Sequence, residues 1–158
     1  MTTSVLFVCL GNICRSPLAH GLFAHHVQTL GRASEFVVDS AGTSGYHAGE
    51  LPDDGSIREA ARHGLDITDQ RSRRLVARDM DAFDFVIAMD TSNLRNIRRV
   101  GSLPPERLFR IRDFDPEALE FDVPDPYGGG PGGFRRVYEM LERSMDPLLV
   151  HIDHHGPR

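Results

Sequence analysis

The sequence predicts an α/β fold: a single-domain three-layer sandwich in which helices flank a four-stranded parallel sheet. Four short apolar segments alternate with longer segments whose apolar residues recur at helical spacing. This order is typical of parallel strands joined by right-handed helical crossovers. The length of 158 residues suits one domain that buries its own core. We therefore expect one domain over residues 1–158, with a flexible tail at about 153–158.

The first strand and the first helix have the clearest patterns. Residues 5–8 are apolar, with β-branched and aromatic side chains, which suits a strand that is buried on both faces. Gly31 is typical of the residue that follows the end of a helix. The apolar residues that recur at helical spacing before it are Leu18, Leu22, Phe23, Val27 and Leu30.

The later segments continue the alternation of predicted strands and helices. Pro147 interrupts the last helical pattern, where a proline predicts a kink or a boundary. The acidic stretch 113–122 predicts an irregular connection. The further strands are predicted at 36–38, 85–89 and 108–111, and the further helices at about 52–63, at 93–100 and from about 133 onward.

A nine-residue stretch between the first strand and the first helix is the strongest candidate for a functional site. Residues 9–17 read C-L-G-N-I-C-R-S-P. Ser16 is predicted as the N-cap of the helix, and Pro17 as its first residue, where a missing N–H costs nothing. A loop at the amino end of a helix favours a bound anion, because free N–H groups and the helix dipole both attract negative charge.

The side chains of this loop fit the same interpretation. Gly11 lets the backbone bend close to a ligand, and Asn12 tolerates a left-handed conformation. Arg15 adds a planar fork that matches two oxygens of a phosphate. The residues predicted to bind the anion are Leu10, Gly11, Asn12, Ile13, Cys14 and Arg15.

Cys9 would face the bound anion from the end of the first strand. Helix amino ends and nearby cations favour the thiolate form of a cysteine, and the thiolate is the nucleophile. Cys9 is therefore the candidate nucleophile. The hydroxyl of Ser16 could also donate a hydrogen bond to this thiolate.

Other polar residues are predicted at the same edge of the sheet. The carboxyl ends of parallel strands meet there, and ligands of such sheets bind beyond them. Ser40 follows the second predicted strand, and Asp90 follows the third. Asp90 is most simply the cap of the helix after it.

Composition and charge exclude several other classes of protein. The formal net charge of −5 argues against a nucleic-acid-binding protein. The apolar runs are all shorter than the roughly 20 residues that a membrane span needs. The two cysteines and the adjacent histidine pairs lack the spacing of a metal site, so we expect neither a metal nor another cofactor. The cytoplasm is the default location.

The stretch C-L-G-N-I-C-R-S-P resembles the phosphate loop of low-molecular-weight protein tyrosine phosphatases, in their bacterial form. Further matching stretches are S-A-G-T-S-G-Y at 40–46, M-D-T-S-N-L-R at 89–95 and D-P-Y at 125–127. The resemblance implies a phosphatase that acts on phosphotyrosine in proteins and on small aryl phosphates through a phosphocysteine intermediate, with inorganic phosphate as product. It also implies a partner: a tyrosine kinase that phosphorylates itself.

The resemblance assigns roles to residues outside the loop. Asp125 lies between two prolines, and it is similar to the general acid of the family. Tyr46 and Tyr127 would form aromatic walls of the substrate cleft, which is thinner here because Gly128 replaces an aromatic residue common in relatives. Gln70 stands where many bacterial relatives have a histidine that orients the loop asparagine. The second-layer residues expected around the loop are Asn12, Ser40, Gln70 and Asp90.

Alternative functions remain open at this point. Relatives that act on phosphoarginine tend to place threonine at the position of Ile13. Arsenate reductases of similar fold use further cysteines outside the loop, and this chain has only Cys9 and Cys14. A non-catalytic phosphotyrosine-binding module would need the loop but not a nucleophile and an acid. Cys14 is either a redox partner that protects Cys9 or a small packed residue.

Overall fold

The structure, a computed structural model, describes residues 2–158, and these residues form a parallel sheet with helices on both faces. The predicted fold class is therefore confirmed. The strands are β1 (Thr3–Cys9), β2 (Phe36–Gly42), β3 (Phe85–Ala88) and β4 (Leu108–Arg110). The helices are α1 (Arg15–Thr29), α2 (Asp54–Arg62), α3 (Asp79–Ala82), α4 (Thr91–Val100) and α5 (Pro131–His155), with 3₁₀ turns at Ala33–Glu35 and Ile111–Phe114.

The strand order in the sheet is β2-β1-β3-β4, and neighbouring strands are parallel. β1 is therefore a central strand, which explains its continuous apolar sequence. At its carboxyl end Cys9 lies opposite Gly42 of β2. The loops after β1, β2 and β3 consequently meet at one edge of the sheet.

The side chains of β1 alternate between two hydrophobic cores. Val5 and Phe7 belong to a core that includes buried residues of α1 and α5. Leu6 and Val8 belong to a second core, which includes buried residues of α3 and α4. Because successive side chains of a strand point to opposite faces, one strand holds both helical layers. This packing fixes the position of the loop that follows β1.

The last helix differs from its prediction. α5 begins at Pro131 and continues through Pro147, so of the two predicted outcomes at this proline, a kink or a boundary, the boundary is wrong. The apolar residues around Pro147 are buried, among them Met145 and Leu148, and this packing offsets the lost N–H hydrogen bond. The expectation of a flexible tail is also wrong for residues 153–155, because they form the end of α5.

The chain terminus after α5 is tied to the loop before β3. The Arg158 guanidinium donates to the carbonyl of Phe83 at 3.0 Å. The backbone N–H of Arg158 donates to the carboxylate of Asp84 at 3.0 Å. None of the helices in residues 2–158 is long and apolar enough to cross a membrane.

Candidate active site

The backbone of the loop after β1 is held from outside through its carbonyl groups. The carbonyls of Cys9 and Leu10 accept hydrogen bonds from the N–H groups of Thr43 and Ser44 at 3.0 and 2.9 Å. The remaining acceptors and their donors are Gly11 (Ser72 Oγ, 3.0 Å), Ile13 (Asp53 N–H, 2.7 Å) and Cys14 (Ser56 Oγ, 2.9 Å). The loop's carbonyls are thus directed into the protein.

The N–H groups of the same loop have no such partners. Within residues 2–158, no hydrogen bond is donated by the N–H groups of residues 10–14. Unpaired backbone donors next to the amino end of a helix form an anion site. The loop therefore has the free N–H donors that the sequence predicts, while its carbonyls are bonded to the surrounding protein.

Asn12 fixes the shape of the loop. Its φ of 56° makes it the one non-glycine residue with positive φ among residues 2–158. The amide Nδ2 donates to Ser16 Oγ at 2.8 Å and to Ser40 Oγ at 2.9 Å. Its Oδ1 accepts from the N–H of Arg73 at 3.0 Å. Asn12 is only 2 % exposed, so these bonds satisfy a buried side chain in a left-handed conformation.

The predicted role of Gln70 is wrong. Its Nε2 donates to the carbonyl of Pro17 at 3.1 Å, in the first turn of α1. Asn12 is instead oriented by Ser16, Ser40 and the backbone of Arg73. Gln70 thus supports the start of α1, and the backbone of Arg73 contacts the asparagine.

Ser16 is not the N-cap of α1, contrary to the sequence prediction. The helix begins at Arg15, and Cys14 occupies the cap position without a side-chain hydrogen bond. Ser16 therefore lies inside the first turn, where its Oγ is 3.1 Å from the Sγ of Cys9. The hydroxyl is free of any capping role and can stabilise the sulfur.

Arg15 is almost completely buried, and its guanidinium is held by two groups. Its Nη1 donates to the Asp90 carboxylate at 2.6 Å and to the carbonyl of Val123 at 3.1 Å. Burial alone would lower the pKa of Arg15, but the negative charge of Cys9 and the bonded Asp90 raise it above its ordinary value. Asp90 also caps α4, as predicted, by accepting from the N–H of Asn93 at 2.6 Å.

The segment that carries Asp125 is fixed at its base. The Asp122 carboxylate accepts hydrogen bonds from the N–H and from the hydroxyl of Thr91, both at 2.7 Å. The N–H of Val123 donates to the carbonyl of Met89 at 2.8 Å. These contacts attach the segment to the end of β3 and the start of α4.

Asp125 itself is half exposed and lies near Arg15. Its Oδ2 is 4.0 Å from Nη2 of Arg15, and its Oδ1 accepts from the N–H of Tyr127 at 3.1 Å. The carboxylate therefore faces the anion site across an open space.

The cleft above the loop has a volume of about 250 Å³. Tyr46 and Tyr127 both line it, as the resemblance implies, and both are largely exposed. His47 also lines the cleft, with its ring 4.8 Å from that of Tyr46 and 6.3 Å from that of Tyr127. Sequence reasoning missed His47, although its position next to Tyr46 was the available signal.

Cys14 is buried among apolar side chains. It is 4 % exposed and packs in a small cluster with Ile13 and Phe134. Burial, followed by the negative charge of Asp53, raises the pKa of the Cys14 thiol above its usual range. No group of three or more potential ligand side chains that could hold a metal ion exists in the part of the chain that the structure describes.

Comparisons with known proteins identify the family of the chain. The family described as low molecular weight phosphotyrosine protein phosphatase matches residues 4–157. The low molecular weight protein-tyrosine-phosphatase YfkJ of Bacillus subtilis is 36 % identical over 150 residues, covering 94 % of this chain and 95 % of the relative. A low molecular weight protein-tyrosine-phosphatase of Streptomyces coelicolor is 39 % identical over 158 residues, covering 96 % and 94 %.

Solved structures show the same fold. A protein tyrosine phosphatase from Entamoeba histolytica superposes with a TM-score of 0.92 at 33 % identity, covering 98 % of this chain and 99 % of the other. The Drosophila arginine phosphatase DARP superposes with a TM-score of 0.84 at 32 % identity, covering 93 % and 96 %. The family match spans nearly the whole chain. The chain therefore belongs to the low molecular weight phosphotyrosine protein phosphatase family.

Proposed function

We propose that this chain hydrolyses phosphotyrosine in proteins, and small aryl phosphates, through a phosphocysteine intermediate. The observation that carries the proposal is the loop of residues 9–15. Its carbonyls are bonded to the surrounding protein, its N–H groups are unpaired, and its cysteine lines the same cleft as the buried Arg15. Membership of the phosphatase family supports the same reaction.

In the first step the Cys9 thiolate attacks phosphorus. An S–P bond forms, the P–O bond to the tyrosine oxygen breaks, and Asp125 gives its proton to the leaving phenoxide. The N–H groups of the loop and the Arg15 guanidinium stabilise the negative charge on the phosphoryl oxygens. Because Asp90 and Val123 hold Arg15 in place, this stabilisation needs no rearrangement.

In the second step water releases the phosphate. Asp125, now a carboxylate, accepts a proton from the water that attacks phosphorus, and the S–P bond breaks. Cys9 leaves as a thiolate, which accepts a hydrogen bond from the hydroxyl of Ser16 over the 3.1 Å between their atoms. Inorganic phosphate is the product.

The form of the cleft favours an aryl phosphate. Tyr46 and Tyr127 stand on the rim, where their rings can contact the flat ring of a phosphotyrosine. The apolar side chain of Ile13 lines the same space. The likeness to DARP makes phosphoarginine the second candidate substrate. We favour phosphotyrosine because Ile13 places an apolar side chain at the position where relatives that act on phosphoarginine tend to have threonine.

We also propose a partner and a location. The substrates are phosphotyrosine proteins, among them a tyrosine kinase that phosphorylates itself. The reaction takes place in the cytoplasm, because Cys9 must stay reduced to act and the cytoplasm keeps thiols reduced. Both cysteines are free in the structure.

The test is hydrolysis of an aryl phosphate and of matched phosphotyrosine and phosphoarginine peptides. We expect turnover of the aryl phosphate and of the phosphotyrosine peptide, and none by Cys9→Ser, which should still bind phosphate. Cys14→Ser is the matched control, because it removes the other thiol of the loop. Turnover by Cys9→Ser would contradict the covalent mechanism, and preference for phosphoarginine would contradict the substrate.

A further inference from the structure

A second depression, larger than the catalytic cleft, lies next to it. Its volume is about 770 Å³, against about 250 Å³ for the cleft. One wall is the exposed side of α2, and the other is the segment 127–131 at the start of α5. We call it the α2–α5 groove. Tyr127 lines both the cleft and the groove, so the two are continuous around one side chain.

The outer wall of the groove consists of glycines between Tyr127 and Pro131, which leaves the groove open on that side. Gly128 and Gly130 have φ of 74° and 80°, and a Cβ built on either would meet no atom within 4 Å. Between Tyr127 and Pro131, this wall therefore carries no side chain that would separate the cleft from the groove. The buried base of the groove is formed by Phe134.

The opposite wall offers a free positive charge. Arg58 is exposed, and within residues 2–158 it has no ion pair and no side-chain hydrogen bond. Arg62 lies 3.6 Å from the buried carboxylate of Glu59, which also contacts His63 at 2.7 Å. The carboxylate of Asp53 is used in capping α2 through the N–H of Gly55. Two of the three acidic groups of the groove, Asp53 and Glu59, are thus already engaged. The third, Asp54, is exposed one turn before Arg58 on α2.

We propose that the α2–α5 groove binds the segment of a protein substrate that flanks the phosphotyrosine. The proposal rests on the proposed function. With the phosphoryl group at Cys9 and the ring beside Tyr127, the main chain of the substrate emerges at the rim that Tyr127 shares with the groove. An extended segment advances about 3.3 Å per residue, so a few residues suffice to enter it.

The lining predicts which substrate segments bind best. An apolar side chain can contact Phe134 and Pro131, and an acidic side chain can pair with Arg58. The groove thereby selects among phosphotyrosine proteins, whereas the cleft recognises the phosphotyrosine itself. A small aryl phosphate fills only the cleft, so its hydrolysis does not depend on the groove.

The test compares a phosphotyrosine peptide carrying flanking apolar and acidic residues with a nitrophenyl phosphate. Arg58→Glu should lower kcat/KM for the peptide about fivefold, the scale of a surface ion pair worth about 1 kcal/mol. Ala61→Trp, which fills the groove from an exposed helical position, should lower it about tenfold. Both variants should hydrolyse nitrophenyl phosphate as the parent does.

Arg98→Glu is the matched control, because it makes the same charge change at an exposed position of α4, which packs on the other face of the sheet. It should change neither substrate's kinetics. Unchanged peptide kinetics in both groove variants, or an equal loss on both substrates, would overturn the proposal. So would sedimentation of the parent as a dimer that Ala61→Trp converts to monomer, since a second copy would then occupy the groove. Failure of the parent on nitrophenyl phosphate would instead reject the proposed function.

Discussion

The phosphate loop and the Asp125 segment face each other across the cleft, and they are built in opposite ways. In the phosphate loop, Asn12 and Arg15 are buried, and the surrounding protein bonds the loop's carbonyls. The Asp125 segment is hydrogen-bonded to the rest of the protein only up to Val123. Beyond it the hydrogen bonds lie within the segment, such as that from the Tyr127 N–H to Asp125, and both side chains are half or more exposed.

The difference matches the separate tasks that we propose for the two regions. A group that stabilises charge in the transition state works best when it is already in position, because no reorganisation is then needed during the reaction. An acid that must protonate many leaving groups needs access to solvent and to substrates of different size. Rigidity is therefore concentrated where the phosphoryl group binds, and exposure where the rest of the substrate enters and leaves.

A large effect on the rate is expected from changing the buried cation of the phosphate loop. Arg15→Lys keeps the charge but loses the planar fork that two oxygens need. We expect kcat to fall about 10²–10³-fold, the usual scale for loss of one preorganised donor. Steady-state kinetics on an aryl phosphate measure it, with Arg98→Lys as the control. A fall of less than threefold would show that Arg15 acts through its charge alone.

The second prediction concerns stability and contrasts the two regions directly. Asn12→Ala leaves the hydroxyls of Ser16 and Ser40 without their amide donor and places alanine at positive φ. The free energy of unfolding should fall by about 3 kcal/mol. Asp125→Ala, at an exposed position, should change it by less than about 0.5 kcal/mol. Urea unfolding of both variants measures the contrast, and equal losses would remove the distinction between the regions.

The third prediction tests the base of the Asp125 segment. Asp122→Ala removes the acceptor for both donors of Thr91 and should lower kcat about tenfold for a phenyl phosphate, because Asp125 is then less well placed. Asp122→Asn keeps one acceptor oxygen and should recover most of the loss. Activated nitrophenyl esters, which need less protonation, should be little affected. The same loss on every ester would mean that Asp122 only supports folding.

Much of this site was predictable from the sequence, because its parts are local. The strand, the loop and the helix of residues 3–29 are contiguous, so spacing alone placed Cys9 near Arg15 and the free N–H groups. The capping role of Asp90 follows directly from its position before α4. The convergence of the three loops follows from the parallel order of the strands.

The errors concern one contact between distant parts of the chain and two local rules for helix ends that the structure does not follow. Gln70 and Arg73 are three residues apart, and only the folded chain shows that the backbone of Arg73, rather than the side chain of Gln70, reaches Asn12. Ser16 was predicted both to cap α1 and to donate to the Cys9 thiolate. The contact with Cys9 is present, but the capping role is wrong because α1 begins at Arg15, one residue before Ser16. The helix through Pro147 persists because of packing that no local rule describes.

The smallest effect is expected at Cys14. We propose that peroxide inactivates the enzyme by oxidising Cys9, and that Cys14 captures the sulfenic acid as a disulfide, which a thiol reductant reverses. Capture should be slow, because the burial that raises the pKa of Cys14 keeps its thiol protonated. Cys14→Ser should retain turnover and recover less activity after peroxide and reductant. Full recovery of this variant would show that Cys14 only packs.

The division of work between the two regions is tested most directly by a leaving-group series on Asp125→Ala. The parent and the variant are assayed on aryl phosphates whose phenols span a wide range of acidity. We predict that kcat/KM of the variant falls about 10²–10⁴-fold for phenyl phosphate and approaches that of the parent for strongly activated nitrophenyl esters. A loss of equal size across the whole series would contradict the role of Asp125 as the acid and the account built on it.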